Sequence, residues 1–168
     1  MSKLILVGMM GSGKSTVGRL LAEETGLPFA DTDSLLEVKI GRTIPQIFRL
    51  YGEQTFREHE TAILRSLEPT PGVLATGGGI VIRDENWAEI NRLGESLFLN
   101  VSEEILIRRL TESARKRPML ELDNWEDRFR DLMEQRRPLY MKADYVIDID
   151  SEEFEDVLDK ILNLRTDS

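Results

Sequence analysis

Cysteine is absent from this chain of 168 residues, and long apolar runs are absent as well. Without a thiol, the sequence offers no disulfide framework, no thiolate nucleophile and no cysteine-based zinc site. The N-terminal apolar run, residues 4–7, is far too short to span a bilayer and lacks the charged flank and cleavage site of a signal peptide. We therefore expect a cytoplasmic protein that makes no membrane span.

Positive charge is also scarce, since the formal net charge is −9. An acidic chain disfavours a general nucleic-acid binder, because neutralising a phosphate backbone requires a basic surface. One short stretch is nevertheless rich in basic residues: Arg108, Arg109, Arg115, Lys116 and Arg117. Such a stretch indicates either a solvated surface or a mobile cover over anionic ligands, and both interpretations stay open.

Short apolar segments alternate with segments of helical periodicity along the chain. The expected strands cover residues 4–7, 28–30, 73–75, 97–100 and 145–149. The expected helices cover residues 14–25, 35–40, 43–67, 85–93, 103–110, 125–137 and 152–162. This alternation predicts a parallel sheet with helices on both faces, that is, a three-layer α/β fold. The length and the short linkers favour a single domain over residues 1–168.

A glycine-rich segment, residues 8–15, follows the first strand and fits the pattern G-x4-G-K-[ST]. Its glycines allow several backbone N–H groups to converge on phosphate oxygens. Lys14 can then reach the β- and γ-phosphates, and the hydroxyl of Ser15 can bind Mg²⁺. A chance glycine-rich turn is the alternative, which the strand before the loop and the helix after it disfavour. We therefore predict a site for a nucleoside triphosphate, ATP by preference.

Motifs that the chain lacks narrow the classes of triphosphate-binding protein to which it could belong. No N-K-x-D tetrapeptide occurs, so the guanine-reading segment of GTP switch proteins is missing. The strand at 73–75 leads into three glycines, where a motor ATPase would carry a second acidic motif. The short single domain favours a kinase that acts on a small molecule.

Candidate acceptor residues follow later strands and helices. Asp31 and Asp33 come directly after the second strand, where they can bind Mg²⁺ and accept a hydroxyl proton, or simply cap the next helix. Arg57 and Glu60 share a helix face, as a surface ion pair or as a guanidinium held ready for a substrate carboxylate. The single histidine, His59, is expected on a helix face without a catalytic role.

Taken in order, these motifs resemble those of the shikimate kinase family over nearly the whole chain. The matching segments are the loop 8–15, the D-T-D segment 31–33, F-R-x-x-E at 56–60, the glycines 77–79, R-P-M-L at 117–120 and R-R-P-L-Y at 136–140. Each segment alone could arise by chance, whereas six in order at compatible spacing are highly specific.

The resemblance implies a nucleoside-monophosphate-kinase-like P-loop fold with a five-stranded parallel sheet in the order 2-3-1-4-5. It also implies a substrate-binding region at 33–61 and a mobile lid at 111–122. The implied activity is transfer of the γ-phosphoryl group of ATP to the 3-hydroxyl of shikimate, with Mg²⁺, in aromatic amino-acid biosynthesis. A monomer is expected, because the chain is small and acidic.

The resemblance also implies a role for each matching residue. Asp33, Lys14 and Arg117 would be catalytic, and Ser15 and Asp31 would hold Mg²⁺. ATP would be bound by Gly11, Ser12, Gly13, Lys14, Ser15, Thr16, Arg109 and Arg117, with Arg109 on the adenine. Shikimate would be bound by Asp33, Arg57, Gly78, Gly79 and Arg136.

Two rival functions remain at this stage. A kinase for another polyol acid, such as gluconate, would share the phosphate loop and the general fold. A non-catalytic metabolite sensor built on a decayed kinase would have lost Lys14, Asp33 or an acceptor-side arginine, and all of these are present.

Overall fold

The computed structural model describes residues 2–113 and 123–166, and within them five strands alternate with seven α-helices. The strands are β1 (Lys3–Val7), β2 (Phe29–Asp31), β3 (Gly72–Ala75), β4 (Gly94–Val101) and β5 (Tyr145–Ile149). The helices are α1 (Lys14–Thr25), α2 (Thr32–Ile40), α3 (Ile44–Ser66), α4 (Asp84–Leu93), α5 (Glu103–Glu112), α6 (Trp125–Tyr140) and α7 (Phe154–Thr166). A 3₁₀ turn, Ile80–Ile82, lies between β3 and α4.

All strand pairs in the sheet are parallel, and the strands lie in the order β2-β3-β1-β4-β5. This confirms both the predicted parallel sheet and the strand order that the resemblance implies. The central strand β1 is buried along Leu4 to Val7, as expected for a strand covered by helices on both faces. None of the helices within residues 2–113 and 123–166 is long and apolar enough to cross a membrane.

The register of the sheet brings the functional loops together at one edge. Asp31, the last residue of β2, pairs with Ala75, the last residue of β3. Leu6 of β1 also pairs with Ala75, so the phosphate loop leaves the sheet beside the segment that contains Gly77. Because all these strands run in the same direction, their carboxyl ends open onto the same crevice.

Apolar side chains form two clusters. The larger one packs the sheet against the helices on its two faces, with Leu4, Leu74 and Phe129 among its most buried members. The smaller one lies between α2 and α3 and contains Leu36, Ile47, Phe56 and Ile63. This second cluster holds α3 against α2, beside the crevice.

Some element boundaries differ from those predicted. Helix α2 begins at Thr32, three residues earlier than expected, because Asp31 caps it and its side chain accepts hydrogen bonds from the N–H groups of Asp33 and Ser34. Helix α6 continues beyond residue 137, through Pro138, to Tyr140. The 3₁₀ turn at Ile80–Ile82 was not predicted, since three apolar residues carry no periodicity that marks such a turn.

A capping box between Thr43 and Gln46 begins α3. The hydroxyl of Thr43 accepts from the N–H of Gln46 at 3.4 Å, and the side chain of Gln46 accepts from the N–H of Thr43 at 3.0 Å. Both bonds satisfy N–H groups that have no partner within the helix. The helix contains one non-helical residue, Gly52, with φ 80° and ψ 172°.

Replacing the cap should weaken the fold measurably. We expect Thr43→Ala to lower the free energy of unfolding by about 1 kcal/mol, because the N–H of Gln46 loses its acceptor. Urea unfolding followed by circular dichroism measures the change. Thr43→Ser keeps the hydroxyl and should stay close to wild type, and equal losses in the two variants would contradict the capping role.

Candidate active site

The phosphate loop joins β1 to α1 and depends on glycine for its shape. Gly11 and Gly13 have φ values of 81° and 87°, a region that side chains other than glycine rarely adopt. Gly13 stands in the N-cap position of α1, so the first turn of this helix directs its N–H groups toward the loop. The geometry is that of an anion-binding loop at a helix N-terminus.

Lys14 lies inside this loop. Its ammonium group donates to the carbonyls of Gly8 at 2.7 Å and Met9 at 2.8 Å, and to the hydroxyl of Ser12 at 3.2 Å. The side chain is buried, so its charge is concentrated where an anionic ligand would lie. Thr16, also predicted to bind nucleotide, is exposed in the first turn of α1.

Asp31 caps α2, which was one of the alternatives for the acidic pair, and it also contacts the phosphate loop. One carboxylate oxygen caps α2, and the other accepts a hydrogen bond from the hydroxyl of Ser15 at 2.5 Å. The two side chains predicted to hold Mg²⁺ therefore adjoin each other at the mouth of the loop. Within the described ranges, no group of three or more acidic or histidine side chains could hold a metal. Mg²⁺ typically needs only one or two protein oxygens beside phosphates and water, so this donor pair fits it.

Asp33 occupies the first turn of α2 and points toward residues 77–79, the glycine segment. Its Oδ1 lies 2.7 Å from where a β-carbon on Gly77 would be, so any other residue there would displace the Asp33 carboxylate. The N–H of Gly77 donates to the hydroxyl of Thr32, which ties this segment to α2. Burial raises the pKa of Asp33, the Asp31 carboxylate raises it further, and Lys14 lowers it. A carboxylate with a raised pKa is a better proton acceptor.

Glu60 is buried and Arg57 is largely buried, so the interpretation of their contact as a surface ion pair is wrong. The guanidinium of Arg57 donates to Glu60 at 2.7 Å, and the two side chains are 12% and 1% exposed. Nε of Arg57 and Oε1 of Glu60 are buried without a hydrogen-bond partner. Burial raises the pKa of Glu60 to about 7, against the lowering effect of Arg57. The pair presents a fixed guanidinium to the crevice.

Arg136 approaches the same point from α6. It is 9% exposed, and its Nε is buried without a hydrogen-bond partner. Its Nη1 lies 3.7 Å from where a β-carbon on Gly78 would be. A β-carbon on Gly79 would overlap the guanidinium of Arg57, with Cζ at 2.5 Å. The backbone of these two glycines therefore adjoins both arginines, as the resemblance implies.

Arg109 lies against the phosphate loop from the side of α5. Its Nη1 donates to the carbonyls of Gly11 and Ser12, each at 3.3 Å, and its Nη2 is buried without a hydrogen-bond partner. Its guanidinium stands over the ring of Phe154 at 4.9 Å from the centroid. The structure thus places Arg109 beside the predicted nucleotide loop. The other predicted arginine, Arg117, and residues 114–122 of the expected lid lie outside the described residues.

Two residues of this site were not predicted. The hydroxyl of Tyr140 donates to the carbonyl of Gly78 at 2.5 Å, which holds the glycine segment against α6. Tyr140 lies four residues after Arg136, so their spacing on one helix face could have indicated it. Phe154 packs against Gly13 and Arg109. Its place shortly after the end of the last strand was the only sequence feature that could have indicated a position beside the site.

The phosphate loop, the acidic residues beside it and the two buried arginines define a P-loop kinase for a small anionic acceptor. The sequence model of the family described as shikimate kinase matches residues 10–165. A shikimate kinase of Pseudomonas fluorescens is 44% identical over 170 residues, covering 98% of each chain. That of Thermodesulfovibrio yellowstonii is 39% identical over 163 residues, covering 96% of this chain and 94% of the relative.

A solved structure gives the same result. The shikimate kinase from Acinetobacter baumannii in complex with shikimate has a TM-score of 0.92 to this chain at 39% identity. The match covers 99% of this chain and 94% of that one. The chain belongs to the shikimate kinase family, which confirms the resemblance drawn from its motifs.

The raised pKa of Glu60 makes stability depend on pH. The unfolded chain releases this proton near pH 4.5, whereas the folded chain holds it to about pH 7. The folded state therefore binds more protons in this window, so the free energy of unfolding falls as the pH rises through it. We expect this group to contribute a loss of about 3 kcal/mol, and we expect the loss to disappear in Glu60→Gln.

Denaturant unfolding at pH 4.5 to 8 measures this dependence. Glu58→Gln, which changes an exposed residue of the same helix, is the matched control and should keep the wild-type slope. A Glu60→Gln variant with the same slope as wild type would show that this carboxyl does not titrate in the window.

Proposed function

We propose that this chain transfers the γ-phosphoryl group of ATP to the 3-hydroxyl of shikimate, giving shikimate 3-phosphate in the chorismate pathway. The observation that carries the proposal is the pair of buried arginines, Arg57 and Arg136, against the backbone of Gly78 and Gly79. Guanidinium groups with buried, unpartnered Nε atoms suit a carboxylate, because its oxygens accept two parallel hydrogen bonds. The glycine backbone can serve the ring hydroxyls.

The donor side of the reaction uses the phosphate loop. Backbone N–H groups of Gly11, Ser12 and Gly13, together with Lys14, would hold the β- and γ-phosphates. Arg109, beside this loop, is proposed to lie against the adenine. Arg117 is proposed to reach the transferring group from the lid, an assignment that rests on the family resemblance alone.

In the proposed step, the 3-hydroxyl oxygen attacks the γ-phosphorus in line with the leaving group. The new oxygen–phosphorus bond forms as the bond between the γ-phosphorus and the bridging oxygen breaks, and ADP leaves. The hydroxyl proton passes to Asp33, whose pKa is raised mainly by burial. Lys14 would stabilise the charge on the transferring group.

We propose that Mg²⁺ assists the transfer. Ser15 and Asp31 would hold it, with the remaining positions taken by phosphate oxygens and water. The ion would supply positive charge to the β- and γ-phosphate oxygens. We further propose a monomeric, cytoplasmic enzyme, in keeping with the acidic composition and the small size of the chain.

Gluconate is the main competing acceptor, since it is also a polyol with a carboxylate. Membership of the shikimate kinase family favours shikimate, as does the shikimate present in the Acinetobacter baumannii complex. A coupled assay of ADP release with Mg²⁺ and ATP should show activity with shikimate and little with gluconate or nucleoside monophosphates. Activity that does not depend on shikimate would contradict the proposal. Binding of both substrates without ADP release would instead favour a sensor.

The role of Asp33 is tested by removing its charge. We expect Asp33→Asn to lower kcat by about 10²-fold or more, because the amide cannot accept the hydroxyl proton, while ATP affinity is unchanged. Steady-state kinetics and calorimetric titration with ATP measure the two effects. Asp84→Asn, an exposed carboxylate in the first turn of α4, is the matched control. Near-normal turnover in Asp33→Asn would remove the assigned role.

A further inference from the structure

Two buried polar side chains, those of Thr61 and Asn86, connect the elements that carry the acceptor-side residues. Thr61 lies on α3, one helical turn after Arg57, and is 3% exposed. Asn86 lies on α4 and is 0% exposed. Asn86 lies outside the motifs that the sequence singled out, and Thr61 is the last residue of the expected substrate-binding region 33–61 but had no role assigned to it.

The orientation of the Asn86 amide follows from its partners. Its nitrogen donates to the carbonyl of Ile80 at 2.7 Å, so its oxygen faces Thr61. The hydroxyl of Thr61 has one proton and donates it to that oxygen at 2.7 Å, the nearer of its two acceptors; the carbonyl of Arg57 lies 3.1 Å away. Arg83 in turn donates to the Thr61 oxygen at 3.2 Å. The hydroxyl and the amide oxygen are thus both satisfied inside the protein.

We propose that Thr61 and Asn86 are positioning residues, which fix Arg57 against the glycine segment through hydrogen bonds from α3 to the backbone of Ile80. This rests on the proposed function, because the positioned group is the guanidinium assigned to the shikimate carboxylate. Ile80 directly follows Gly79, and Thr61 contacts the carbonyl of Arg57 itself. The pair therefore links the backbone of α3 at Arg57 to the backbone of Ile80, which follows Gly79.

Because Arg57 fits tightly against Gly79, its position is sensitive to this link. The guanidinium of Arg57 lies within 2.5 Å of the place of a β-carbon on Gly79, so a small shift of α3 changes where it points. Gly52 interrupts α3 five residues before Arg57, so the part of the helix that carries Arg57 is held by its own contacts, among them Phe56 and Ile63 in the cluster against α2. Removing one member of the pair would leave a buried polar group without its partner and allow α3 to move.

Thr61→Val tests the proposal, since valine has the shape of threonine without the hydroxyl. We expect KM for shikimate to rise about tenfold or more and KM for ATP to change less than about twofold, because a misplaced binding group costs affinity at one substrate only. Thr61→Ser restores the hydroxyl and should recover most of the shikimate affinity. Calorimetric titration with shikimate gives an independent reading.

Thr25→Val is the matched control. Thr25 makes the same kind of hydrogen bond to its own helix, to the carbonyl of Leu21 at 2.6 Å, but on α1. It should leave both KM values unchanged. Equal losses for shikimate and ATP in Thr61→Val, or an unchanged KM for shikimate, would overturn the proposal.

A second variant covers the case in which Thr61→Val does not fold. Asn86→Asp keeps the oxygen that accepts from Thr61 and removes the donor to Ile80, and it should show the same selective rise in KM. If neither variant folds, the pair has a general structural role and the proposal is wrong. A wild-type protein that releases no ADP with shikimate would contradict the proposed function itself, whereas an active wild type with unaffected variants contradicts only the positioning role.

Discussion

The buried contact between Arg57 and Glu60 is the interaction on which the acceptor side depends. A guanidinium taken out of water is stable only when a carboxylate and further acceptors surround it, and Glu60, at 1% exposure, supplies that carboxylate. Because Glu60 uses one oxygen for this bond, its other oxygen faces Gly77 and Asp33 without a partner. The pair thereby fixes a positive group in the crevice. Burial raises the pKa of the Glu60 carboxyl, whereas Arg57 lowers it and also lowers the pKa of the neighbouring Asp33.

The glycine segment, residues 77–79, leaves space for these buried side chains. Gly77 leaves space for Asp33, Gly78 adjoins Arg136, and Gly79 leaves space for Arg57. Tyr140 holds the segment by its carbonyl, and Thr32 holds it by an N–H group, so it is fixed from both sides. Three glycines that would cost conformational entropy in an ordinary turn are used here for close approach. The parallel sheet places this segment next to the phosphate loop, which brings donor and acceptor together.

Sequence patterns predicted the elements well and their contacts less well. Hydrophobic periodicity locates strands and helices because burial is periodic, but it does not say which strands are neighbours; the strand order came from the family resemblance. The phosphate loop could be identified from the sequence because glycine, lysine and serine have fixed roles at fixed spacing. Thr61 and Asn86 could not be identified in this way, since their role arises from a contact between residues 25 apart in sequence. The burial of Glu60 likewise depends on tertiary packing.

The most direct test of the account compares the binding of shikimate and its methyl ester to the wild-type protein by calorimetry. The ester has the same ring and hydroxyls but no negative charge. If Arg57 and Arg136 hold the carboxylate, the ester should bind at least about 30-fold more weakly, because both guanidinium groups then face a neutral acceptor in place of a charged one. Equal affinities for the acid and the ester would contradict the account.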